Sequence, residues 1–274
     1  MTIVPWVECN WPDADDSKNP GRTQLETVIE GLRIWRKVTD RAIVSTWPSE
    51  VKRVYPALRK QVRGITIIPG LKTINILAGR LDDLGTWRDL RGFIEDAIRL
   101  TKTNWILLDH EAALEPFALG QVTVDRTKLA QGVAKLPIDI RHFWYPSVYW
   151  FIDGMRSHRR LLSLVPTIEA IPRVTFLDQR YCGYKEVGGV RHRRAAAAFD
   201  EVRETRTMPH LFFYGPKHRH VWWRDDMLRE ALALVRWCWG EKTDVIIYTG
   251  RAHWIEGAKV LSSQLASGTY PRDG

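Results

Sequence analysis

The chain has 274 residues, 45% hydrophobic and 27% charged, ordinary values for a globular protein that folds around its own core. A formal net charge of +9 favours acidic partners such as nucleic acid, an anionic polysaccharide or a membrane surface, or else a solvated basic exterior. Three cysteines far apart, Cys9, Cys182 and Cys238, with no CxxC pair, exclude a disulfide framework and a cysteine-built zinc site.

Taken in chain order, the N-terminus "MTIVPWVECNWPDADD" has no basic or apolar leader region, so a secretory signal is not expected. No apolar run approaches the length of a membrane span. The expected location is the cytoplasm, or outside it by a route without a classical signal, such as lysis or a virion. Short β-rich apolar runs then alternate with amphipathic stretches along the whole chain. The strand candidates are 3–9, 42–47, 64–70, 104–111, 139–146, 173–179, 210–216 and 244–250. Helix candidates lie near 24–37, 49–62, 86–102, 125–135, 155–165, 188–205, 224–239 and 255–267. Ser49 and Thr86 stand at two helix starts, and Asp225 and Asp226 open a third.

Strict strand–helix alternation implies parallel pairing through crossover helices. Eight such units, in a chain near the usual length, imply an α/β fold: a single (β/α)8 TIM barrel spanning 1–274. The Asp/Pro-rich segment at about 10–23 reads as a long first βα loop. No GxGxxG turn follows the first strand, which disfavours an open nucleotide-binding sheet. The "GYKEVGG" segment (183–189) reads as another βα loop.

A barrel of this kind works at the C-terminal ends of its strands. The fourth strand, "NWILLDHE", ends in charge, and side-chain alternation sends Asp109 and Glu111 one way and His110 the other. The first strand ends at Glu8, the second at Trp47, and the fifth at Trp144 and Tyr145. The sixth offers Asp178, Gln179 and Tyr181, the seventh Tyr214 and Lys217, and the eighth Tyr248, Arg251 and Trp254. The third, "IIPGLKT", is the plainest. Carboxylates ringed by aromatic residues suit sugars, whose C–H-rich faces stack on rings while their hydroxyls bond to carboxylates. Two carboxylates also supply what glycosidic cleavage needs: an acid for the leaving oxygen and a group that stabilises the oxocarbenium-like centre. Proximity would keep Glu111 protonated beside an ionised Asp109. Trp6, Trp35, Trp105 and Trp237 sit in apolar patterns and read as core, whereas Trp47, Trp144 and Trp254 read as sugar platforms.

The "LDHE" of the fourth strand resembles the end of the DxxDxDxE signature of family 18 glycoside hydrolases, the chitinase-like barrels. The earlier aspartates and the glycines of that signature are absent here, and "FLDQ" only loosely echoes the family's sixth-strand motif. Similar carboxylate pairs end the fourth strand of lysozyme-like family 25 barrels. The resemblance implies that Glu111 is the acid/base and that Asp109 orients a substrate N-acetyl group, which itself attacks in place of an enzyme nucleophile. Asp178 and Trp254 occupy places comparable to two further residues of the family.

The expected activity is thus hydrolysis of a polymeric glycan, with amino-sugar and acidic glycans as the candidate substrates, and with no cofactor and no bound metal. Glu111 and Asp109 are the acid/base pair, and Asp178 and Glu8 are candidates for nucleophile or second stabiliser. One alternative is a metal-dependent barrel hydrolase or isomerase using Glu8, Asp109, His142 and Asp178. Another is an inactive barrel that binds an anionic partner through the basic clusters 156–160, 191–194 and 216–224, the last holding His218 and His220. No helix-turn-helix, zinc finger or RNA-binding motif accompanies them, so sequence-specific nucleic-acid binding is not expected.

Overall fold

A computed structural model describes residues 3–77, 79–109, 115–118, 120–137, 139–145, 174–178, 185–187, 190–192, 208–212, 245–248, 251 and 254–266. The chain falls into two units. One comprises Met1–Val44, Lys60–Thr66 and Asp178–Gly274, the other Ser45–Arg59 and Ile67–Leu177.

In the first unit, β1 (Ile3–Glu8) pairs in parallel with β10 (Val245–Tyr248), and β10 pairs in parallel with β9 (Met208–Phe212). The register sets Trp6 opposite Tyr248, and Tyr248 opposite Phe212. Helix α1 (Gln24–Trp35) starts at Thr23, whose hydroxyl accepts from Glu26 N at 3.2 Å while the Glu26 carboxylate accepts from Thr23 N at 2.7 Å. This reciprocal cap satisfies two of the donors that a helix start leaves over. Helix α7 (Trp254–Ala266) lies against α1. Trp35 and Trp254 meet with ring centroids 5.4 Å apart. Each indole also donates into the pair: Trp35 Nε1 to Trp254 O at 3.1 Å, and Trp254 Nε1 to Val28 O at 3.2 Å. Gly31 makes the approach possible, because a Cβ there would run into the Trp254 indole.

The segment expected to open a helix at 188 instead contributes to a hairpin, with β7 (Lys185–Val187) antiparallel to β8 (Val190–His192). Gly188-Gly189 separates the two strands in sequence, the kind of two-residue link that tight hairpins favour. The helix candidates 155–165 and 224–239 lie outside the described residues.

β2 (Arg41–Thr46) leads the chain into the second unit, and Ala42, Ile43 and Val44 are fully buried. There β3 (Thr66–Lys72), β4 (Trp105–Asp109), β5 (Arg141–Tyr145) and β6 (Val174–Asp178) follow one another in parallel ladders. Ile106, Leu107 and Leu108 are all at 0% exposure, so β4 is covered on both faces, as parallel sheets require. Helix α2 (Val51–Gln61) follows a 3-10 turn and brings Tyr55 to Gly70. The Tyr55 hydroxyl donates to Gly70 O at 2.8 Å and accepts from Gly70 N at 3.1 Å. A side chain at Gly70 would collide with Ser45. A short turn, α3 (Ile74–Leu77), precedes α4 (Leu84–Thr101), which begins two residues before the expected start. Its cap is Asp83, which accepts from Gly85 N at 2.9 Å and from the Thr86 hydroxyl at 2.7 Å. After α5 (Glu115–Ala118), α6 (Arg126–Val133) is capped by Asp125.

Candidate functional site

In the second unit, parallel register aligns strand ends, and it sets Lys72, the last residue of β3, opposite Asp109, the last residue of β4. Both are buried, Lys72 at 8% exposure and Asp109 at 1%. Lys72 Nζ stands 3.9 Å from Asp109 Oδ2 and 5.5 Å from the centroid of the Trp47 ring. Two buried charges persist together only when paired, because either alone would carry a desolvation cost of several kcal/mol. The backbone beside them is tied down: Thr73 donates to Asp109 O from its N–H at 2.9 Å and from its hydroxyl at 3.0 Å. Asp109 is thus a carboxylate fixed in position with a cation beside it.

In the first unit, β1 ends at Glu8, a partly exposed carboxylate that accepts from Asn10 Nδ2 at 3.2 Å. Beyond it the chain holds Cys9, which is buried, and then Trp11, which is 57% exposed. The loop that follows is organised around Asp16, 1% exposed. Asp16 accepts from Lys18 N at 3.1 Å and Asn19 Nδ2 at 3.0 Å, and its Oδ1 lies 3.6 Å from Arg251 Nε. Arg251 donates to Glu8 O at 3.3 Å, and its own carbonyl accepts from Asn19 Nδ2 at 3.1 Å.

The side chains expected at strand ends fare differently. Asp109 and Glu8 end their strands as expected. Arg251, expected to hold substrate, braces the first loop through Asp16 and the β1 end. Trp254, expected as a sugar platform, is at 0% exposure in the α1–α7 contact and has no face to offer a ligand. The sequence places it just beyond a strand end, but it is the first residue of a helix that packs inward. Trp47 is partly exposed, with one ring face near the Lys72 ammonium. Trp144, Tyr145, Asp178 and Tyr248 stand in the last two positions of β5, β6 and β10. Glu111, Gln179, Tyr181, Tyr214 and Lys217 lie outside the described residues, as do His110, His218 and His220.

His142 is fully buried, and its Nε2 lies 2.8 Å from Pro137 O, on the side where β5 begins. Nε2 is committed to that carbonyl, and Nδ1 is buried. Burial holds this imidazole below the ordinary histidine range, against the opposing pull of the Pro137 carbonyl and of Asp139. Among the described residues, no group of three or more His, Cys, Asp or Glu side chains is placed to hold a metal ion.

Lys72, Asn10, Trp11 and Asp16 were not singled out from the sequence. The expected third strand stopped at Gly70, and Pro69-Gly70 reads as a strand terminator. The strand runs on to Lys72, and aligning its end with that of β4 is the signal that would have found the lysine.

No family model matches the chain, and no curated protein matches it. Solved structures do share its fold. A GH18 chitinase from Pseudoalteromonas aurantia superposes with a TM-score of 0.52 at 11% identity, over 94% of this chain and 99% of the other. SacUVDE does so with a TM-score of 0.50 at 10% identity, over 98% and 99%. The dihydropteroate synthase of Yersinia pestis reaches a TM-score of 0.45 at 8% identity, over 97% and 95%. The chitinase and SacUVDE are TIM-barrel-like. The chain is therefore a mixed α/β protein of parallel strands with a TIM-barrel-like fold, and the likeness extends to fold alone. No helix among the described residues is long and apolar enough to cross a membrane.

Proposed function

We propose that the chain forms one (β/α)8 barrel and that this barrel is a glycoside hydrolase acting on a polymeric glycan at the C-terminal ends of its strands. Asp109 carries the reading. It is a carboxylate 1% exposed at the last position of β4, paired with Lys72 and locked through Thr73, two residues ahead of Glu111. The parallel ladders within each unit are consistent with closure into a barrel. The chitinase among the fold neighbours is consistent with the activity.

In the proposed reaction Glu111 is protonated and donates its proton to the glycosidic oxygen as the bond from that oxygen to the anomeric carbon breaks. The developing positive charge on the sugar is stabilised by a second group, either the substrate's own acetamido oxygen or a carboxylate, for which Asp178 and Glu8 are the candidates. Glu111, now ionised, takes a proton from the incoming water as it attacks the anomeric carbon. Asp109 orients Glu111 and the acetamido group, and Lys72 holds Asp109. Tyr181, Tyr214 and Tyr248 are proposed hydrogen-bond donors to the glycan, with Gln179 and Lys217 beside them. Trp47, Trp144 and Tyr145 are proposed stacking surfaces.

The test is release of reducing ends from oligomers of N-acetylglucosamine, glucose and an acidic amino-sugar glycan. The wild-type chain should cleave at least one of them. Asp109→Asn should lower turnover by about 100-fold or more, the scale of lost acid–base assistance. Equal turnover in that variant would remove Asp109 from the chemistry.

A further inference from the structure

The junction between β1 and α1 brings together three features, of which the proposed reaction names only Glu8, as one of two candidates for the second carboxylate. Trp11 is 57% exposed, whereas Trp6, Trp35, Trp87 and Trp254 are buried at 1% or less. Its exposure is not that of a loose loop. Trp11 N donates to Gln24 Oε1 at 3.1 Å, and its carbonyl accepts from Ala14 N at 3.0 Å. Asp16, Asn19 and Arg251 brace the segment that follows. A large aromatic side chain held facing solvent on a pinned loop, beside the C-terminal end of a parallel strand, stands where such folds receive ligands.

The second feature is the Glu8 carboxylate, turned by the Asn10 amide that donates to its Oε2. The third is Asn10 itself. It is 7% exposed, and its Oδ1 is buried with no hydrogen-bond partner among the described residues. The amide cannot be flipped to relieve this, because Oδ1 would then face the Glu8 carboxylate. A buried acceptor left unsatisfied costs free energy, and native chains rarely keep one without a reason. Its burial makes Asn10 an internal support that fixes the Glu8 carboxylate from behind.

We propose that the β1–α1 junction is a sugar-binding subsite, in which Trp11 stacks on a pyranose ring of the bound glycan and the Asn10-oriented Glu8 carboxylate accepts hydrogen bonds from its hydroxyls. The inference rests on the glycosidase reading and narrows it. It gives Glu8 to binding and leaves Asp178 as the candidate second carboxylate. It also restores an aromatic platform to the account once Trp254 is removed.

The experiment is isothermal titration of the full-length chain and its Trp11→Ala and Trp11→Phe variants with hexamers of N-acetylglucosamine, of glucose and of hyaluronan. Reducing-end release from the same three hexamers is followed in parallel. Trp11→Ala should weaken binding of the preferred hexamer about tenfold, and Trp11→Phe should recover most of it. The bound hexamer should also shield Trp11 from N-bromosuccinimide oxidation, read by peptide mass spectrometry. Cleavage by wild type together with unchanged affinity in Trp11→Ala and an unshielded Trp11 would overturn the subsite and leave the glycosidase reading standing. Neither binding nor cleavage of any hexamer by wild type would overturn both.

Discussion

Lys72 and Asp109 show how a short stretch of backbone turns two costly residues into a usable pair. Neither belongs in an interior alone, but adjacent parallel strands that stop at the same level set them side by side, 3.9 Å apart and at most 10% exposed. Removing the ammonium takes the neighbouring cation from a buried carboxylate. Lys72→Met should therefore lower stability by about 3–5 kcal/mol, the range for breaking a buried pair from one side. Adding Asp109→Asn to that variant should return part of the loss. Urea unfolding of the two single variants and the double variant measures this coupling, and additive losses would show that the two charges do not stabilise each other. Asp109 was legible in the sequence because an acid directly after three apolar β-formers must end its strand either in solvent or in a site. Lys72 was not, because lysine is common at surfaces and the Pro69-Gly70 pair hid how far the strand runs.

Among the elements, α1 and α7 are joined through one glycine and two tryptophans. The start of α1 is written locally in Thr23 and Glu26, and its inward stripe of Val28, Leu32 and Trp35 follows helical spacing. Its partner is not written locally. Nothing near Gly31 says that an indole more than two hundred residues away rests on it, and nothing near Trp254 says that it opens a helix rather than crowning a strand. Trp254→Ala should cost about 3–5 kcal/mol through the cavity it leaves. Gly31→Ala should cost about 1–3 kcal/mol from the opposite fault, overpacking against the same ring. Thermal unfolding of both variants checks this. An unperturbed Trp254→Ala would mean that the indole is not buried here, and would reopen it as a sugar platform. The hairpin of β7 and β8 was missed because a basic, alanine-rich continuation reads as helix, and that outweighed Gly188-Gly189.

At the scale of the whole molecule, the alternation of apolar runs and amphipathic stretches was the most legible feature. Each expected long strand lies within a few residues of an observed one, because parallel strands covered on both faces must be continuously apolar. What the alternation cannot reveal is which strand ends hold side chains in place, since that depends on register between segments far apart in sequence. The fold also sets a pH limit. His142 is buried and held below the ordinary histidine range. The unfolded chain therefore takes up a proton at this position before the folded one does, and stability falls as pH drops below about 6.5. Asp40, Asp83 and Asp96 act lower down. Hydrogen bonds from Arg41, Thr86 and Arg99 respectively hold their carboxyls below the usual range, so their contributions fade only as pH falls below 3.8. Between pH 7 and pH 5 the melting temperature should drop, and His142→Gln should flatten that slope. An unchanged slope in the variant would assign the effect to another group.

The central proposal is that Asp109, the last residue of the fourth strand, and Glu111, two residues on in sequence, act on a glycosidic bond. Its most direct measurement is reducing-end release by wild type and Glu111→Gln on the same glycan panel, with circular dichroism and hexamer binding recorded for both. The account predicts that wild type cleaves at least one glycan and that Glu111→Gln keeps its fold and affinity while turnover falls by about 100-fold or more. Cleavage by Glu111→Gln at the wild-type rate, or a well-folded wild type that cleaves none of the panel, would contradict it.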